Sequence, residues 1–164
     1  MLLHPGAGWG AKRWPAERYG SVAAGLASRG YRVVVNRAPG EETLAADVAR
    51  SSAGVAEEIA TDMAELIAMT RRCALVIGGD TGPAHLACAL GKPVLGIYGP
   101  TDPARNGPWG VQSRVLRHPE SRRDHARRST PEAGLLTIEP EEVLSAVDEL
   151  MGAESSAGDA AVQA

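Results

Sequence analysis

The sequence predicts an α/β fold in which a Rossmann-like parallel sheet carries helices on both faces. Short aliphatic runs alternate with amphipathic segments, as expected for parallel strands joined by helical crossovers. Several of these runs lead into loops rich in Gly and Pro, and 164 residues are enough for one ordinary domain. We expect the domain to span residues 1–151 and the Ala-, Ser- and Gly-rich residues 152–164 to form a disordered tail.

The individual elements follow from hydrophobic spacing and from the residues that begin and end helices. Strands are predicted at residues 2–4, 31–35, 55–59, 74–77, 93–98 and 111–116, the last at an edge of the sheet. Helices are predicted at residues 15–28, 41–52, 62–72, 83–90 and 141–151. Pro15 begins the first helix, Gly30 follows its end, and Asp62 or Thr61 caps the third. Residues 99–110 and the Arg-rich residues 118–134 are predicted to be loops.

Composition and charge argue against several classes of protein. The 17 Lys and Arg residues are outnumbered by 20 Asp and Glu residues, and the net charge of -3 argues against a nucleic-acid partner. Cys73 and Cys88 lie in apolar surroundings without the spacing of metal ligands. The sequence has no recognisable signal peptide and no apolar run of about 18 residues, so we expect a reduced, cytoplasmic protein.

Unusual residues cluster after the predicted strands, where open parallel sheets bind their ligands. The four loops there read "HPGAGWGAK" (4–12), "RAPGEE" (37–42), "GGDTGPAH" (78–85) and "GPTDP" (99–103). Helices begin beside these loops, and helix N-termini carry partial positive charge. The loops therefore predict one crevice that binds an anionic ligand.

The third loop is the most specific of the four. Amides around Thr81, Gly82 and His85 can face an anion, and the Thr81 hydroxyl and His85 imidazole add two donors. Asp80 repels phosphate, so it suits sugar hydroxyls or the backbone amides that fix the turn. The alternatives are that Asp80 only caps the helix and that His85 packs against the sheet.

Charged residues in the first two loops add to this interpretation. Lys12 is the natural countercharge for a phosphate, although a lysine before a helix is often only solvated. Glu41 and Glu42 begin a helix, where the dipole favours carboxylates, and either can hold a ribose diol. The register between the two glutamates stays open.

The first loop also has the glycine spacing of a dinucleotide-binding turn, Gly6-x-Gly8-x-x-Ala11. The helix begins only at Pro15, too late to face a pyrophosphate from within the motif. The second strand leads into Asn36-Arg37 rather than an acidic residue, which leaves only a 2′-phosphate cofactor. An NADP-dependent oxidoreductase domain is therefore the weaker alternative.

Taken together, "HPGAGWGAKRWP", "PGEE", "DMAEL" and "IGGDTGPAHLACALGKPVLGIYGPTDP" resemble the nucleotide-sugar-binding domain of the family 9 glycosyltransferases. These are the ADP-heptose:lipopolysaccharide heptosyltransferases and their relatives, and the resemblance covers residues 2–110. It implies the C-terminal half of a two-domain GT-B enzyme. That enzyme would be inverting and metal-independent, and it would use no cofactor.

The resemblance also implies roles for residues at matching motif positions. Lys12 would contact phosphate, and Glu41 would bind the ribose. Thr61 would lie near the base through its backbone. Thr81 and Gly82 would bind the diphosphate, with Asp80 and His85 reaching the phosphates or the transferred sugar.

The expected donor is a nucleotide diphosphate sugar, with an ADP-sugar favoured and heptose or a similar sugar transferred to a glycan or glycolipid. The N-terminal acceptor domain, which supplies the catalytic base in the family, is expected to be absent from this chain, so no catalytic residue is assigned here. The full enzyme would act in the cytoplasm, with peripheral association at the inner face of the membrane. A standalone, non-catalytic nucleotide-binding module is the alternative from another functional class.

Overall fold

The computed structural model describes residues 1–124 and 127–162, and from residue 153 onward the backbone alone. Its strands are β1 Leu2–His4, β2 Val33–Arg37, β3 Ala56–Ala60, β4 Val76–Gly78, β5 Val94–Ile97 and β6 Ser113–Leu116. They form one sheet in the order β3-β2-β1-β4-β5-β6, and all its strand pairs are parallel. The predicted parallel sheet is confirmed, with β6 at an edge.

The helices are α1 Ala16–Ser28, α2 Glu42–Ser51, α3 Met63–Arg72, α4 Gly82–Ala89, α5 Pro103–Asn106 and α6 Pro140–Val162. Two short 3-10 helices occupy Gly10–Lys12 and Leu135–Thr137. No helix within the described ranges combines the length and the hydropathy needed to span a membrane.

Helices cover both faces of the sheet, as the alternation along each strand requires. One face packs Leu3, Val35 and Ile77 against residues of α1, α2 and α6. The other face packs Leu2, Val76 and Val94 against residues of α3 and α4. The Rossmann-like α/β class predicted from the sequence is thereby confirmed.

Several boundaries differ from the prediction. β2 begins at Val33 rather than residue 31, because Arg29, Gly30 and Tyr31 still donate their amides to carbonyls at the end of α1. Asp62, not Thr61, caps α3: its carboxylate accepts from the Glu65 amide at 2.8 Å. α5 forms inside the predicted loop 99–110, where the Asp102 side chain caps it.

The last helix is longer than its hydrophobic pattern predicts. The pattern ends at residue 151, but α6 continues to Val162 and so overlaps the expected disordered tail. Its apolar residues Val143, Ala146, Val147 and Leu150 lie in the core beside α1, and no side chain beyond residue 152 is described. Residues 163 and 164 of the expected tail lie outside the described residues.

The order of the strands fixes where a ligand can bind. From β1 the chain moves outward to β2 and β3, then crosses back through α3 to β4 on the other side of β1. His4 at the end of β1 is paired with Gly78 at the end of β4. Such a reversal leaves a crevice above the carboxyl ends of the two central strands.

Candidate functional site

A cavity of about 200 Å3 opens at this reversal. Its walls come from the ends of β1 and β2, the loops that follow these strands, and the start of α4: His4, Gly6, Ala7, Gly8, Asn36, Ala38, Glu41, Thr81 and Pro83. Three of the four predicted loops thus meet around one space. The predicted loop 99–110, which begins with the fourth of these motifs, contributes Asn106 at the end of α5, whose side chain donates to Asp80.

Glu41 is the glutamate that faces the cavity. It is the N-cap residue of α2, and its Oε2 accepts a hydrogen bond from the Ala38 amide at 3.0 Å. A Cβ placed on Gly6 would lie 1.9 Å from Glu41 Oε1, so the carboxylate rests directly on the glycine backbone. Glu42 turns away and pairs with Arg37 at 3.1 Å. Of the two glutamates, Glu41 is therefore the one that lines the cavity.

Lys12 and Asp80 form a buried ion pair beside the cavity. Lys12 Nζ lies 2.7 Å from Asp80 Oδ2, and the two side chains are 9% and 8% exposed. Asn106 Nδ2 donates to the same carboxylate oxygen at 3.2 Å, and His85 Nε2 lies 3.3 Å from Oδ1. Burial alone would raise the pKa of Asp80, but Lys12, Asn106 and His85 outweigh it and hold the pKa below its usual value.

These contacts contradict two alternatives from the sequence, namely that Asp80 only caps α4 and that His85 packs against the sheet. Asp80 does not cap α4, because Thr81 is the N-cap residue, and the three Asp80 partners described above are side chains rather than turn amides. His85 is half exposed and contacts the carboxylate instead of packing into the sheet. Lys12 is not free in solvent, since its ammonium is held between Asp80 and the Trp9 ring.

Backbone donors at the start of α4 have no hydrogen-bond partner within the part of the chain that the structure describes. The His85 amide is already used within the helix, where it donates to the Thr81 carbonyl at 3.3 Å. The amides of Thr81, Gly82 and Ala84 precede that first helical bond, and Pro83 has no N–H. The amides that can face an anion are therefore those of Thr81, Gly82 and Ala84, with Ala84 in the place predicted for His85.

Thr61 lies next to the site rather than in it. Its hydroxyl donates to Asn36 Oδ1 at 2.8 Å, and Asn36 in turn lines the small cavity. Thr61 itself lines a larger space of about 710 Å3 beside α3. The structure thus brings Lys12 and His85 onto Asp80, directly before Thr81 and Gly82. Glu41 lines the same cavity as Thr81, whereas Thr61 contacts that cavity only through Asn36.

His4 belongs to the cavity but was not predicted from the sequence. Its side chain is buried, and its Nε2 has no hydrogen-bond partner among the described residues. Burial lowers the pKa of His4 to about 4, so the imidazole is neutral near pH 7. One signal in the sequence could have identified His4: it is a polar residue at the end of a buried strand, where open parallel sheets bind their ligands.

The Arg-rich segment is fixed against the first loop. The Ala11 amide donates to the Arg128 carbonyl at 3.0 Å, and the Glu132 amide donates to the Ala11 carbonyl at 3.1 Å. A Cβ on Gly10 would lie 1.8 Å from the Ser129 carbonyl oxygen, so only glycine allows this approach. The predicted loop 118–134 therefore borders Lys12, apart from residues 125 and 126, which lie outside the described residues.

The buried side chain of Glu132 accepts hydrogen bonds from several residues of this segment. Its buried carboxylate accepts from the Ser121 hydroxyl at 3.0 Å and from the Leu135 amide at 2.9 Å. Burial alone would raise the pKa of Glu132, but these bonds and those from the Gly134 and Arg122 amides hold it below the usual value. The segment is thus fixed by a hydrogen-bonded carboxylate and not only by surface contacts.

The geometry also bears on the oxidoreductase alternative. A 2′-phosphate would need Arg37 as its cation. Arg37 instead pairs with Glu42 at 3.1 Å and with Glu58 at 2.7 Å. No described contact therefore favours an NADP site.

Comparisons with known proteins agree on one family. The model described as "Glycosyltransferase family 9 (heptosyltransferase)" matches residues 1–135. Lipopolysaccharide heptosyltransferase 2 of Salmonella typhimurium is 31% identical over 164 residues, which cover 92% of this chain and 46% of that protein. The chain therefore spans about half the length of the curated relatives it matches.

Solved structures give the same result. The ADP-heptose lipopolysaccharide heptosyltransferase II of Escherichia coli superposes with a TM-score of 0.80 and 26% identity, covering 94% of this chain and 46% of that chain. The E. coli heptosyltransferase WaaC with ADP has a TM-score of 0.77 and 26% identity, covering 91% of this chain and 43% of that chain.

Proposed function

The chain belongs to glycosyltransferase family 9, the heptosyltransferase family, and from this membership we propose that it binds the nucleoside diphosphate part of a sugar donor. The observation that carries the proposal is a crevice lined by Glu41 and by Thr81 at the α4 N-terminus, with Lys12 paired to Asp80, the residue before Thr81. ADP is the preferred nucleotide, because a related solved structure holds it. The transferred sugar is a heptose or a similar sugar.

Glu41 binds the ribose in this proposal. Its Oε2 is fixed by the Ala38 amide, while Oε1 lies over Gly6 beside the cavity. A carboxylate held in this way can accept hydrogen bonds from a ribose diol at little further cost in side-chain entropy. The base then lies toward Asn36 and the backbone of Thr61, which are joined by a hydrogen bond.

The diphosphate lies at the start of α4. The amides of Thr81, Gly82 and Ala84 supply donors, and the helix dipole favours negative charge there. A lysine ammonium has three donors, so Lys12 can keep its bond to Asp80 and still donate to a phosphate oxygen. Asp80 then orients Lys12, and His85 reaches toward the β-phosphate or the sugar from the half-exposed side of the pair.

These groups stabilise the charge that builds on the departing nucleoside diphosphate, so the reaction needs no divalent cation in this proposal. An inverting displacement also needs a base for the acceptor hydroxyl. In the described site Asp80 is paired with Lys12 and Glu41 is assigned to the ribose. We therefore assign the base, and the binding of a glycan or glycolipid acceptor, to the part of the enzyme that this chain does not span.

Calorimetric titration of ADP into the chain in the presence of EDTA tests the proposal. Binding is expected, and Lys12→Ala should weaken it by about 1–3 kcal/mol, the value of a charge-assisted hydrogen bond. Lys92→Ala is the matched control, since Lys92 is the other lysine of the sequence and follows the end of α4. No binding of ADP at millimolar concentration to the folded chain would refute the proposal, and binding of NADP alone would support the oxidoreductase alternative.

A further inference from the structure

Trp9 contacts two cations at the edge of the proposed phosphate site. Lys12 Nζ lies 4.5 Å from the centre of the Trp9 ring, and the guanidinium carbon of Arg127 lies 5.7 Å from it. Both distances are within the range of cation–π attraction. They also bring the two cations to within about 10 Å of each other.

The charges at the site favour a second cation besides Lys12, such as Arg127. Lys12 is neutralised by Asp80, and Glu41 adds a further negative charge at the cavity. A sugar nucleotide brings about two negative charges on its diphosphate, and the departing nucleoside diphosphate brings more. The helix dipole of α4 contributes only about half a positive charge. A second cation near Lys12 would offset part of the remaining negative charge.

Among the arginines of its segment, Arg127 is the one described in contact with the Trp9 ring. Arg123 pairs with Asp102 at 3.1 Å, and Arg128 pairs with Asp124. Arg127 is exposed, lies over the Trp9 ring, and has no carboxylate partner among the described residues. The backbone bonds of Ala11 to Arg128 and Glu132 hold its segment beside Lys12.

We propose that Arg127 is a second cation for the donor diphosphate, held beside Lys12 by the face of Trp9. The planar guanidinium can donate two parallel hydrogen bonds to phosphate oxygens, which an ammonium cannot do. This inference rests on the proposed function, because it assigns a further residue to the same donor site. It makes Trp9 a positioning residue, which acts through Arg127 and Lys12.

The affinities of the chain for ADP and adenosine test the inference. Arg127→Ala should weaken ADP binding about tenfold at low ionic strength, as expected for the loss of one charge-assisted contact, and leave adenosine binding unchanged. Arg127→Lys should recover only part of the loss. Arg123→Ala is the matched control, because it removes a charge from the same segment at a residue paired with Asp102.

The possible outcomes separate this inference from the proposed function. If the unmodified chain does not bind ADP, the proposed function itself fails. If the chain binds ADP and Arg127→Ala binds it equally well, only the role of Arg127 is refuted. Equal losses for ADP and adenosine would also contradict the inference, since a phosphate contact must act on the phosphates alone. Trp9→Leu should reproduce the selective loss for ADP, and unchanged ADP affinity in this variant would refute the positioning role.

Discussion

The position of Glu41 on Gly6 allows a sharp test of the ribose contact. In Gly6→Ala the new Cβ would lie 1.9 Å from Glu41 Oε1, 2.4 Å from Cδ and 2.5 Å from Oε2. All three distances are far inside van der Waals contact, so the carboxylate must leave its position. Loss of hydrogen bonds to a charged group costs about 1.5–3 kcal/mol, which corresponds to a tenfold to 150-fold weaker affinity for ADP.

A double-mutant cycle separates this effect from a general disturbance of the loop. Glu41→Ala should weaken ADP binding by about the same amount as Gly6→Ala. In the double variant the overlap no longer exists, so Gly6→Ala should add little to the loss already caused by Glu41→Ala. Affinities are measured by calorimetry, and thermal melting of each variant confirms that the domain is folded.

Gly8→Ala is the matched control for this cycle. Gly8 lines the same cavity, but a Cβ there meets no protein atom within 4 Å. We expect Gly8→Ala to bind ADP more tightly than Gly6→Ala does, with an unchanged melting temperature. Additive losses in the cycle, or full affinity in Gly6→Ala, would refute the assignment of Glu41 to the ribose.

Further predictions concern pH, packing and the ion pair. The pKa of His4 is about 4 in the folded chain, so between pH 6.5 and 4 the unfolded chain binds a proton at His4 that the folded chain does not. The free energy of unfolding, measured by urea denaturation, should therefore fall by about 3 kcal/mol over this range. The fall should be smaller in His4→Gln. Gly10→Ala should lower the melting temperature, because its Cβ would overlap the Ser129 backbone; an unchanged melt would contradict that packing. Asn106→Ala should raise the pKa of Asp80, followed by NMR of the carboxylate, and an unchanged titration would contradict the hydrogen bond.

Much of the fold could be predicted because local signals agreed with one another. Aliphatic runs marked the strands, and Pro15 and Asp62 marked the starts of two helices. The parallel order then brought the loops after the strands to one edge, as the rule for open sheets requires. The length of α6 was missed because its hydrophobic pattern ends before its helix does.

The composition of the site could be predicted better than its internal contacts. The loops supplied Lys12, Glu41 and the start of α4, but nothing local shows that Lys12 and Asp80 meet across 68 residues of sequence. That pairing exists only because β1 and β4 are neighbours in the sheet. The sequence shows Arg127 only as part of a basic run, because its contact with Trp9 depends on how the segment folds back.

Mapping of ADP binding by amide chemical shifts tests the central claim most directly. A titration of the isotope-labelled chain in EDTA should shift the amides of Gly6 and Thr81, which line the crevice between β1 and β4, and those of Gly82 and Ala84 in the first turn of α4. The larger space beside α3, reported by Met69, should remain unchanged. Shifts confined to that larger space, or no shifts at millimolar ADP, would contradict the assignment of the crevice as a nucleoside diphosphate site.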